Sequence, residues 1–130
     1  MWKKKYRVSL HDQAYFARQL VTMFDAGVPI HRALEFYSNG IDNDLGTIIE
    51  EVATSVESGV SLSHSFRKYP EVFSPVFVGL IEAGERTGEI SPMLQRLATL
   101  LEQEANLLTR LRTALTYPVF LASVSFIVGC

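Results

Sequence analysis

The sequence has one cysteine in 130 residues, Cys130 at the last position. That excludes an internal disulfide framework and fits a reducing compartment. No stretch alternates with period two over a useful length, so no sheet is expected. Cations are scarce after the first seven residues. The net charge is −2, and setting aside the +4 of Lys3, Lys4, Lys5 and Arg7 leaves −6 over residues 8–130. An acidic body of this kind excludes a nucleic-acid surface, which needs cations gathered on one face. No apolar run follows the lysines, so the N-terminus does not read as a signal peptide. Trp2 and Tyr6 among those lysines leave two readings open, a solvated tail or an arm against a membrane surface or RNA.

Catalytic patterns are missing too. His11, His31 and His64 fall on different predicted helices and lack metal-ligand spacing. Asp42-Asn43-Asp44 opens like a calcium loop, but Gly46 stands at the fifth position and Ala53 at the twelfth, where a glutamate is required. Gly84-x-x-x-Gly88 is followed by no lysine and so is not a phosphate loop, which excludes an ATPase of that type. Ser63 and His64 are neighbours on a helix, about 100° apart, and cannot form a nucleophile–base pair. No enzyme, metal or cofactor is expected.

What the sequence does contain is helix punctuation. Ser9-x-x-Asp12 resembles a capping box, followed by an apolar face of Phe16, Leu20, Met23 and Phe24 and a stop at Gly27. Pro29 opens a second helix that ends near Asn39-Gly40. Asp42 starts a third, in which Leu45, Ile48, Ile49, Val52, Ala53 and Val56 repeat with a 3.6 period before Gly59. Ser61 caps a short fourth helix that must finish before Pro70. Ser74-Pro75 and Ser91-Pro92 each pair a hydroxyl cap with a first-position proline, opening the fifth and sixth. In the fifth, Val76, Phe77, Leu80, Ile81 and Gly84 share a stripe, and Gly88 suits a left-handed stop. Gly84 costs about 1 kcal/mol against alanine, which points to another backbone passing close by. In the sixth, Leu94, Leu97, Leu101, Leu108, Leu111 and Leu115 form a heptad-like seam interrupted at Glu104. It reaches Tyr117, a rod of about 37 Å. The fold class is an all-α bundle of six helices joined by short turns.

The last eighteen residues, 113–130, carry no charge and directly follow Arg110 and Arg112. They are expected to begin a transmembrane helix, cut off at Cys130, with the arginines on the cytoplasmic side and Pro118 kinking the junction. A buried helix of a soluble domain is the alternative. Residues 1–11 then form a basic arm and 12–112 a helical bundle.

Glu82, Glu85 and Glu89 fall on one face of the fifth helix. They could hold a cation or act as an acid/base pair. The simpler reading leaves Glu82 and Glu89 solvated and pairs Glu85 with an arginine. The arginine expected is Arg18, beside the apolar face of the first helix. A buried pair there is worth on the order of 3–5 kcal/mol to either partner.

Six short stretches, in order, carry a resemblance. They are Phe16-x-Arg18-Gln19-Leu20, Ala26-Gly27-Val28-Pro29-Ile30 and Gly59-Val60-Ser61-Leu62-Ser63. Then come Pro70-x-x-Phe73, Gly84-Glu85-x-x-Gly88-x-Ile90 and Tyr117-Pro118. Together they are similar to the first cytoplasmic domain of the type II secretion F-type and type IV pilus inner-membrane platform proteins. The resemblance implies a non-enzymatic scaffold on the cytoplasmic side of a bacterial inner membrane. It implies as partners the cytoplasmic assembly ATPase, other inner-membrane components of the machine and further copies of the chain. A soluble helical adaptor is the alternative function.

Overall fold

The computed structural model describes residues 6–128, with side chains from 6 to 111, and it is helical from one capping signal to the next. The Ser9 hydroxyl accepts the Asp12 amide at 3.0 Å, while the Asp12 carboxylate accepts the Ser9 amide at 3.3 Å. This reciprocal box opens α1 (Leu10–Asp25). Pro29 precedes α2 (Ile30–Gly40). The Asn43 side chain accepts the Gly46 amide at 2.9 Å and caps α3 (Asp44–Glu57), so the helix opens after Asn43 and not at Asp42. Ser61 caps α4 (Leu62–Arg67), and Ser74 caps α5 (Pro75–Thr87) by accepting the Phe77 amide at 3.1 Å. Gly88, with φ of 75°, closes α5 in the left-handed region. No strand occurs among the described residues.

The sixth helix, α6 (Ile90–Val128), begins two residues before the position expected for it. Ser91 is not its cap. The Ser91 hydroxyl donates instead to Asp25 of α1, and Pro92 sits at the third helical position. A proline is harmless there, because the first-turn amides lack intrahelical acceptors.

Each helix packs on the next in sequence, and α6 returns to lie along α1, closing a ring. The bonds between them pair Asp25 with Ser91 and Gln95, Arg18 with Glu102, and His11 with Thr109, so α6 runs antiparallel to α1. The centre is aromatic. Phe66 from the short α4 meets Phe73, Phe77 and Phe16 edge-on, with ring centroids 4.8, 5.1 and 6.1 Å apart. Phe16 in turn meets Tyr37 at 4.8 Å. Each buried ring contributes about 1.5–3 kcal/mol by leaving water, which explains how a six-residue helix is held in place. Tyr6 and Val8, ahead of α1, pack against the same core.

Two apolar stripes differ from the expected ones. Val76 is 61% exposed, and Val78 is buried in its place beside Phe77 and Ile81. The α5 face turned to the core is therefore rotated from the expected stripe. On α6, Leu94, Leu97, Ala98, Leu101 and Ala105 are buried, but Leu108 and Leu111 are exposed. The reason is length: the first turn of α1 lies opposite Thr109, and the seam then has no partner helix among the described residues. Among the described residues no helix is long and apolar enough to cross a membrane. The run expected to begin a span, with Tyr117 and Pro118, lies outside the residues whose side chains are described.

Candidate functional site: the α4–α5 clamp and the α1–α6 strut

Of the positions singled out in the sequence, Ser61, Ser63 and Glu85 meet where α4 lies against α5. Ser61 and Ser63 begin α4, with the Ser61 hydroxyl accepting the His64 amide at 3.2 Å. That leaves the Ser63 amide without an intrahelical acceptor, and Glu85 of α5 supplies one. Its two carboxylate oxygens accept the Ser63 amide at 2.6 Å and the Ser63 hydroxyl at 3.1 Å. Helix starts favour a carboxylate, since the first amides point outward and the helix dipole is positive there.

The expected Arg18–Glu85 pair is thus corrected. Arg18 faces Glu102 of α6, giving Nε to one carboxylate oxygen at 3.0 Å and Nη2 to the other at 2.6 Å. The pair is also less buried than expected, with side chains 39% and 40% exposed. Hydrogen bonding from Arg18 lowers the Glu102 pKa, with partial burial opposing and the guanidinium charge assisting. The same bond raises the Arg18 pKa. Geometry explains the misassignment: Arg18 lies on the face of α1 turned to α6, whereas Glu85 lies on the face of α5 turned to α4.

Glu82 was expected to be solvated, and it is shared between two cations. Arg67 of α4 reaches one of its oxygens at 2.7 Å, and Arg86, one turn further along α5, reaches the other at 2.6 Å. Glu89 is exposed. The three carboxylates therefore point to three different surroundings, and among the described residues no group of acidic, histidine or cysteine side chains could hold a metal.

Gly84 lies where α5 meets the start of α6. A β-carbon placed on it would stand 3.1 Å from Ile90 Cα and 3.3 Å from the Glu89 carbonyl oxygen. The close backbone inferred from the sequence is the α5–α6 turn itself. Gly27 and Gly59 occupy positive-φ positions after α1 and α3, and Pro29 sets the entry to α2.

Several contributors had weak signals in the sequence. Asp25 stands in the last turn of α1, where a negative charge opposes the helix dipole. Such a residue needs donors, and Ser91 and the Gln95 amide (3.0 Å) provide them. Gln13 is buried and donates to the Val72 carbonyl at 3.0 Å, tying α1 to the α4–α5 link. The Tyr69 hydroxyl of that link donates to Glu51 of α3. Glu102 and Glu51 carried no local signal, because their partners are 84 and 18 residues away.

This arrangement is a mechanical joint. A short helix is pinned at its amide end by the neighbouring helix, and a long helix is cross-tied to α1 at three heights. It offers binding faces and rigidity.

Comparison with known proteins gives the family. The family described as type II secretion system (T2SS), protein F, matches residues 16–130. The chain is 37% identical over 124 residues to the type IV pilus assembly protein PilC of Pseudomonas aeruginosa, covering 95% of this chain and 33% of that protein. It is 40% identical over 111 residues to PilC of Thermus thermophilus, covering 85% and 27%. It is 33% identical over 123 residues to the type II secretion system protein F of Vibrio cholerae, covering 94% and 30%. The chain spans about a third of the length of these curated relatives.

Proposed function

We propose, since this chain belongs to the type II secretion system protein F family, that it is a helical domain of an inner-membrane platform in a type II secretion or type IV pilus assembly machine. It works as a non-enzymatic mount on the cytoplasmic side. The assembly ATPase docks on it, and movement of that motor passes through α6 toward the membrane parts of the machine. Copies of the chain associate in low number through partly apolar helix faces.

The observation that carries this reading is the construction of α6. Over its first half it is packed into the ring and bonded to α1 through Asp25, Arg18 and His11. From Leu107 onward its leucines Leu107, Leu108 and Leu111 are exposed, and beyond the tie at Thr109 its backbone continues as helix to Val128. A rod fixed along one side of a bundle and protruding beyond it transmits a rotation that a loose linker would absorb.

The test is removal of residues 113–130. A juxtamembrane mount keeps its helical content and cooperative unfolding and gains solubility. A soluble adaptor that buries this segment loses its fold. Docking is read separately, by binding of the purified assembly ATPase encoded with this chain to the full chain in nanodiscs. No binding with or without nucleotide removes the docking role while leaving the scaffold reading intact.

A further inference from the structure

We propose that the hollow between α4 and α5 is a docking pocket for a partner protein segment that places a large apolar side chain beside a carboxylate. Its volume is about 310 Å³, at the lower end of the range of roughly 300–1,000 Å³ typical of ligand pockets. Phe73 and Val78 line it from the core side, and Pro70, Pro75 and Gly79 form its outer walls. Arg67 and Glu82 stand at its rim.

Gly79 carries the first argument. It lies in the interior of α5, where glycine costs about 1 kcal/mol against alanine. Neither of the usual reasons for a glycine applies. Its φ is not positive, and a β-carbon built on it would meet nothing within 4 Å. The missing side chain leaves the hollow open, and Val76, one turn earlier, adds exposed apolar surface beside it.

The second argument is charge. Glu82 is the only carboxylate at the rim, and two guanidinium groups share it. Arg67 and Arg86 each bond Glu82 through one nitrogen, and their side chains are 53% and 77% exposed. Both side chains are more than half exposed, and each guanidinium keeps donors beyond the one it gives to Glu82, which can serve a second carboxylate. Lys68 and Glu71 in the α4–α5 link offset each other, and Glu85 is occupied by Ser63. The rim is therefore a cationic spot on a body of charge −6. An apolar anchor with an adjacent Asp or Glu complements both halves of the site. The chain's own first residues have the wrong sign, with Lys3, Lys4 and Lys5 among them.

The pocket is also preformed. Gln13 holds the Val72 carbonyl and Glu51 holds the Tyr69 hydroxyl, which fixes the link that carries Pro70 and Phe73. A rigid site loses little entropy on binding.

The experiment is selection of a random peptide library on the full chain in detergent micelles, followed by titration of the enriched peptides. Enrichment of a Leu, Phe, Ile, Met or Trp within one helical turn of an Asp or Glu is expected. Binding should weaken about tenfold or more in Gly79→Leu, which fills the hollow, and in Arg67→Gln/Arg86→Gln, and by a smaller factor in Gly79→Ala, whose methyl only narrows it. Amide shifts in the unaltered chain should centre on Val78 and Gly79, which decides the matter if a variant fails to fold. A peptide of residues 1–7 should not compete. Enrichment of basic peptides, competition by residues 1–7, shifts centred elsewhere, indifference to filling the hollow, or no enrichment at all would each overturn the proposal.

Discussion

Gly84 and Ile90 are in near contact across the α5–α6 turn, so that a methyl on Gly84 would stand 3.1 Å from the Ile90 α-carbon. The opposing atoms are backbone and the first carbon of Met93, none of which can swing away. Gly84→Ala should destabilise the fold by about 1–3 kcal/mol, the cost of overpacking a closed site, despite the better helix propensity of alanine. Gly79→Ala, facing open space, should stabilise it by up to about 1 kcal/mol. Gly46→Ala should cost more than Gly84→Ala, because its β-carbon would meet the Ile41 carbonyl oxygen at 2.4 Å. Urea unfolding of the three variants orders them, and a stabilising Gly84→Ala would refute the packing account.

The Ser63–Glu85 clamp predicts a coupled loss. Glu85→Ala strands the Ser63 amide and hydroxyl in a part-buried position and should cost about 1–3 kcal/mol. Ser63→Ala removes only the hydroxyl bond and should cost less. The double-mutant cycle should show a coupling of about 0.5 kcal/mol or more, and additive losses would mean the hydroxyl–carboxylate bond contributes nothing.

Arg18 and Glu102 are half-exposed, which sets a smaller scale. Loss of either partner should cost about 0.5–1 kcal/mol, shrinking in high salt, since solvent screens such pairs. The Glu102 pKa is lowered in the folded state. Its contribution is therefore complete above the ordinary glutamate value of 4.5 and is lost as pH falls through the depressed folded value. The stability gap between the parent and Glu102→Gln should narrow on acidification through that window. A gap that stays constant down to the lowest pH at which the chain folds would assign the effect to packing.

Tyr37 and Tyr69 govern the alkaline limit. Burial pushes the Tyr37 phenol up from 10.0 to about 12, with repulsion from Asp12 assisting. Burial likewise raises Tyr69, helped by its bond to Glu51. A raised folded pKa means that each contribution is complete below pH 10 and is lost as pH climbs through the folded value. Phenolate absorbance should therefore show Tyr37 and Tyr69 titrating late and becoming normal on unfolding. Tyr37→Phe should remove one of them, and a titration unchanged by that substitution would refute the assignment.

The six helices were legible because each is announced locally. Ser9 and Asp12, Ser61, Ser74-Pro75 and Gly88 act within a few residues of themselves, and the repeat in α3 needs no partner to be seen. The side-chain pairings were less legible. Glu85 was matched to the wrong residue because periodicity gives a face of its own helix and says nothing of which helix that face meets. Ser91 looks like a cap in the sequence because its pull toward Asp25 acts across 66 residues. The Val76 stripe differs for the same reason, since either side of α5 is apolar enough to be buried and the packing of the whole ring selects one.

Local sequence, then, determined the number, order and approximate limits of the helices, because capping, glycine stops and 3.6-residue periodicity are short-range physics. Tertiary structure alone decided that α6 returns to α1, that Glu102 and not Glu85 answers Arg18, and that Glu82 is shared by two arginines. Those outcomes depend on which faces meet when the ring closes around Phe66. Closure is a contest among all six apolar faces at once, and no single stretch of the chain encodes its result.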